Sequence, residues 1–157
     1  MSDIRGSFLA MQAAFGPNPR VEFMLAHGRE YKVGPRSYSG PRGAPNQCYA
    51  NAGALALEFP ALTYVEGQIL VCGLPLDHAW CIDEQGIVVE PTIRNCEAVY
   101  EFYGVPFRTD YLLKAVLRNK MWGVLDATTS PKTAIKLYEL GLEAGQAWLL
   151  DRKRRRA

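Results

Sequence analysis

Cys48, His78 and Glu90 are of the residue types that together perform acyl-transfer chemistry. A cysteine attacks a carbonyl as its thiolate. An imidazole holds and returns the proton near neutral pH. A carboxylate on the far ring nitrogen fixes the tautomer and stabilises the imidazolium. Cys48 stands where a Gly/Pro-rich stretch meets a helical repeat. The first amides of a helix are unpaired and partly positive, which favours a thiolate and can hold an oxyanion. Gln47 and Asn46, just before it, add side-chain amide donors to a candidate oxyanion or substrate-binding set that also takes in Trp80 and Glu66. His78 is the only histidine after Cys48, the other being His27. It falls on an expected strand, with Trp80 on the same face to shield the ring. Glu90 closes the next strand, and a hairpin would bring it beside His78. Asp77 and Asp83 compete for that role, but strand alternation turns both to the opposite face.

These side chains need elements to aim them. Phe8 to Phe15 and Val21 to His27 read as short helices, separated by Gly16-Pro17-Asn18-Pro19. Tyr31 to Val33 is a candidate strand. Residues 34–45 form a long Gly/Pro/Ser-rich loop, a kind that is often functional in a small domain. Cys48, Ala52, Leu55, Ala56 and Phe59 recur at helical spacing, and Pro60 ends that helix near Glu58. Leu62 to Cys72, Asp77 to Asp83 and Gly86 to Glu90 read as strands, the last two an antiparallel hairpin. A strand over Val99 to Phe102 precedes Gly104-Val105-Pro106, and Asp110 to Asn119 is periodic like a helix. Ser130-Pro131 starts a last helix toward Leu150. The class is α+β in one domain, 1–157, with its core in 46–107 and a flexible basic tail at 152–157.

The order Cys-helix, Tyr64-Val65-Glu66-Gly67 strand, His78-Ala79-Trp80 strand and Glu90-Pro91-Thr92 strand end resembles the transglutaminase-like core, within the broader papain-like arrangement. The resemblance spans Asn46 to Thr92. It implies a nucleophile helix packed on an antiparallel sheet, with Cys48 as nucleophile, His78 as base and Glu90 as third member. Two features depart from that pattern. Glu90 stands where aspartate is usual, so its reach is about one methylene longer. The tryptophan often found before the cysteine is missing, leaving Tyr38, Asn46 and Gln47. The implied reaction passes through a thioester, as in a protease, amidase, deamidase or transglutaminase-type enzyme, with a protein, peptide or small amide as substrate and no cofactor.

Glu66 is anomalous in an apolar strand, because a buried carboxylate needs partners. The active site, Asn51, Arg36 and Arg42 are candidates, and an exposed edge position is the alternative. Asn51 reads as a structural hydrogen-bonder. Tyr100, Phe102, Tyr103 and Phe107 read as core and cleft wall. The formal net charge of +2 gives no ground for nucleic-acid or membrane binding. No apolar run reaches the length of a membrane span, and the N-terminus lacks a signal pattern, so a cytoplasmic location is expected. Cys48, Cys72, Cys81 and Cys96 contain no Cys-x-x-Cys pair and read as free thiols rather than zinc ligands or disulfides. Two rival functions stay open: an inactive binding or inhibitor protein of the same fold, and a metal held by Cys48, His78 and a carboxylate.

Overall fold

The computed structural model describes residues 3–34, 38–94 and 99–125. The expected helix after Ser130, the basic tail and Cys96 lie outside them. The elements are α1 (Ile4–Phe15), α2 (Pro19–His27), β1 (Arg29–Val33), α3 (Cys48–Glu58), β2 (Thr63–Val71), β3 (Leu74–Ile82), β4 (Ile87–Val89), β5 (Val99–Phe107) and α4 (Thr109–Asn119). This is a mixed α+β fold.

Caps explain the helix starts. α1 begins earlier than its apolar repeat because the Asp3 carboxylate accepts from the Gly6 amide. α2 begins at Pro19 because Asn18 accepts from the amides of Arg20 and Val21, and proline suits a first helical turn. Turns fix the strands in the same way. Cys72 and Gly73 both take positive φ, the conformation of a two-residue hairpin between β2 and β3. Asp83 accepts from the amides of Gln85 (2.9 Å) and Ile87 (2.8 Å), so it belongs to the β3–β4 turn and not to His78.

The sheet departs from a purely antiparallel one. Its strands close into a barrel in the order β1-β4-β3-β2-β5. β1 pairs antiparallel with β5 and parallel with β4, through Lys32↔Ile87 and Val33↔Val88. β5 also runs on through Gly104-Val105-Pro106, which the sequence marks as a break. Pro106 pairs with Val65 of β2, beyond the last β1 partner at Gly104, so no β1 partner needs its missing amide. Gly104 faces Gly67, and a Cβ on Gly67 would lie 2.0 Å from the Tyr103 carbonyl oxygen. The two glycines are there for close backbone approach.

Strand alternation sorts the apolar residues into two cores. Tyr31, Val65, Trp80, Ile82, Val88 and Phe102 come from all five strands and fill the barrel, with Ile69 beside them. The opposite face packs Tyr64, Ala79, Cys81 and Phe107 against Phe8, Met24, Leu55 and Leu112 of the helices. The core therefore extends beyond 46–107 at both ends. The buried Cys81 thiol donates to the Ala52 carbonyl at 3.2 Å, tying α3 to β3. Burial, then the Glu90 charge, pushes that thiol up to about 12, which leaves it inert. Among the described residues, no helix is long and apolar enough to cross a membrane.

Candidate active site

α3 starts at Cys48, with Gln47 as its cap residue. Gln47 makes no side-chain cap bond, so the first amides of the helix are left free of it. Asn46 takes a φ of 60°, the sharp bend that delivers the chain into the helix. Asn46 and Gln47 are both exposed, at the edge of the site where the sequence puts an oxyanion set.

β3 presents His78 and Trp80 on one face, their rings stacked 6.3 Å apart at 15°. Trp80 is wholly buried, so it backs the imidazole and does not meet a substrate from solvent; this corrects its place in the substrate-binding set. The Trp80 indole is held edge-on by Tyr31 and Phe102. Asp77 turns to the other face, as alternation requires. It accepts from Arg20 at 2.8 Å and from Gln68 at 3.0 Å.

Glu90 follows β4 and is buried. Its Oε2 meets His78 Nε2 at 2.7 Å. Its Oε1 accepts from the amides of Thr92 (2.6 Å) and Ile93 (2.9 Å), so the turn after Pro91 fixes the carboxylate before histidine reaches it. The longer glutamate arm is thereby folded back onto its own turn. Cys48 also acts on the ring, near enough for its side chain to help raise the imidazole's pKa.

The ring thus answers to both a carboxylate and a thiol. Burial alone would lower its pKa. The Cys48 side chain, with the hydrogen bond and charge of Glu90, outweighs burial and raises it to about 9. At neutral pH the imidazole is protonated. Among the described residues no set of three or more His, Cys, Asp and Glu is arranged for a metal ion.

Glu66 is fully buried, but not within this set. The Tyr64 hydroxyl donates to its Oε1 at 2.8 Å, and the Val124 amide donates to the same oxygen. The Leu125 amide donates to Oε2 at 2.8 Å. These partners replace the Asn51 and Arg42 contacts expected from sequence; Arg36 lies outside the described residues. They make Glu66 an anchor for the chain after α4 and correct its place in the substrate-binding set. Burial raises its pKa against the pull of those donors.

Two further side chains hold the site together. Arg42 donates through Nη1 to the Glu90 carbonyl (2.8 Å) and to the Ile93 carbonyl, and through Nη2 to the Tyr38 carbonyl (3.2 Å). Asn51, one turn into α3, donates to Thr92 Oγ1 (3.0 Å) and to the Ala44 carbonyl (2.9 Å). The Gly43 amide donates to the Pro91 carbonyl at 2.9 Å. Residues 38–47 therefore form a wall bonded to the Glu90 turn. Behind that wall lies a cleft of about 720 Å³, lined by Tyr38, Asn51, Leu55, Phe59 and Pro91 among others, but not by Cys48. The sequence offers one signal for Arg42: a long cation inside a Gly/Pro-rich loop that needs something to hold it.

Tyr49 follows Cys48 and is half-buried. Burial, then the charges of Glu66 and Asp77, raises its phenol far above the ordinary range, so it stays a neutral hydroxyl. No protein-family model, curated protein or solved structure matches the chain.

Proposed function

We propose that this chain is a cysteine-nucleophile enzyme that cleaves or transfers an amide or acyl group through a thioester at Cys48. The observation behind this reading is the buried imidazole of His78 bonded to the Glu90 carboxylate, with the Cys48 side chain near enough to help raise its pKa. The helix-borne cysteine, with histidine and acid on adjacent strands, fits the transglutaminase-like and papain-like arrangement that the motif order resembles.

The chemistry runs from the protonated ring. Cys48 Sγ, as thiolate, attacks the substrate carbonyl carbon, and the carbonyl electrons move onto oxygen. The unpaired amides at the start of α3, with Gln47 and Asn46 beside them, face the developing oxyanion. The C–N bond breaks as the His78 imidazolium gives its proton to the leaving amine. Neutral His78 then takes a proton from water or an amine as that acceptor attacks the thioester carbonyl. Release of the acyl product restores thiolate and imidazolium. Glu90 keeps the ring oriented throughout and stabilises its charged form. The substrate class is a protein, peptide or small amide.

Selective alkylation tests the reading, because Cys72 is a more exposed thiol in the same chain. With limiting iodoacetamide at pH 6, wild-type protein should label at Cys48 well ahead of Cys72. His78→Ala should remove that preference. Labelling in proportion to exposure in the wild type would refute the proposed site.

A further inference from the structure

We propose that Arg42 is a positioning residue of this site, acting on His78 through the turn that holds Glu90. The inference rests on the triad reading above for its chemistry, but its geometry stands on hydrogen bonds alone.

Glu90 and Ile93 are the first and last residues of that turn. From inside, its amides at Thr92 and Ile93 bind Glu90 Oε1. From outside, Arg42 Nη1 bridges the carbonyls of Glu90 and Ile93. One carboxylate and one guanidinium thus grip opposite poles of the same turn. Nη2 reaches back to the Tyr38 carbonyl, so the clamp also closes the loop that carries Arg42. Among the described residues no carboxylate forms a salt bridge with Arg42. Its hydrogen bonds all go to carbonyl dipoles, two of them at this turn.

Arginine suits this work because its planar fork presents several donors in fixed directions. Lysine has one nitrogen on a flexible stem and cannot reproduce both arms. Without the clamp, the carbonyls of Glu90 and Ile93 lose their shared donor. The turn then relaxes, its amides leave Oε1, and Oε2 is no longer held on His78 Nε2. The Gly43 amide on the Pro91 carbonyl and Asn51 on Thr92 still tie the turn to the loop and to α3, so the fold has other supports there. The loss falls on the orientation of the carboxylate.

The experiment reads the histidine directly. The chain holds two histidines, so labelled imidazole signals are simple to assign by NMR. His27, half-buried on α2 beside Phe23, serves as the internal control. In wild type His78 should titrate near 9. In Arg42→Ala its midpoint should move down toward 6.5 while His27 stays in place. Cys48 alkylation at pH 6 should slow by about tenfold to a hundredfold, the scale of loss when a reacting group is displaced but not removed. Added methylguanidinium should restore part of both readouts. A folded Arg42→Ala protein with wild-type His78 titration and Cys48 rate would overturn the proposal. If Arg42→Ala does not fold, Arg42→Lys decides. A lowered His78 midpoint supports the clamp, and an unchanged one overturns it. The NMR arm also separates two failures. A wild-type Cys48 of ordinary reactivity defeats the enzyme reading, whereas an Arg42 variant with unmoved His78 defeats only the clamp.

Discussion

At the residue scale the imidazole of His78 depends on two unlike neighbours, and each makes a distinct prediction. Glu90→Gln keeps an oxygen able to accept from the Thr92 and Ile93 amides, and its amide nitrogen then faces Nε2. The ring keeps a neighbour but loses a negative charge, so its midpoint should fall below the wild-type value near 9. An NMR titration unchanged by this substitution would show that the carboxylate does not tune the histidine. Cys48→Ala removes the other neighbour, and the same titration should again fall. Much of this trio was legible from sequence, because a lone downstream histidine and a helix-start cysteine are few enough to choose among. The roles of Glu66 and Arg42 were not. Glu66 binds the amides of Val124 and Leu125, and Arg42 binds carbonyls at residues 90 and 93. Every backbone unit offers those same atoms, so residue types give no clue to such pairings.

At the element scale two glycines set how near β2 and β5 approach. A Cβ on Gly104 would lie 2.6 Å from the Glu66 carbonyl oxygen and 2.8 Å from Trp80 Cη2. Gly104→Ala should therefore push Trp80 away from its stacking contact with His78. It should cost about 2 kcal/mol in urea unfolding and also slow Cys48 alkylation, although Gly104 is not part of the trio. Normal alkylation in a folded Gly104→Ala protein would disconnect Trp80 from the histidine. The sequence marks residues 104–106 as a break because glycine and proline usually punctuate strands. Here the glycine makes room for an indole and the proline lies beyond β1's reach, reasons that exist only after the barrel has closed. The hairpins were easier to read, since Asp83-Glu84-Gln85-Gly86 contains its own hydrogen bonds. Glu66→Gln belongs to this scale too. An amide offers one acceptor oxygen where three donors converge, so the substitution should cost about 2 kcal/mol, read as a lower urea midpoint.

For the whole molecule, two buried groups tilt stability in the same direction. The His78 pKa rises from 6.5 unfolded to about 9 folded. The folded state then holds the proton more tightly, so this contribution is full below 6.5 and is lost as pH rises through 9. By linkage it amounts to roughly 3 kcal/mol. Glu66, also raised by burial, adds a fall as pH climbs above its ordinary 4.5. Denaturant midpoints should decline from pH 6 to pH 10, and His78→Ala should flatten the alkaline part of that slope. A wild-type profile flat over this range would contradict the buried charged ring.

Barrel closure has a further consequence, one of timing. β1 leaves the ribosome before its partners, Ile87 and Val88 of β4 and Phe102, Tyr103 and Gly104 of β5. Cys48 likewise emerges long before Glu90. On the proposed function, a nascent chain therefore carries the thiol without the groups that would arm it, and loop closure over such distances is slow. A nucleophile so built is switched on only by completion of the fold, so an unfinished chain carries a quiet cysteine through the crowded interval of its own synthesis.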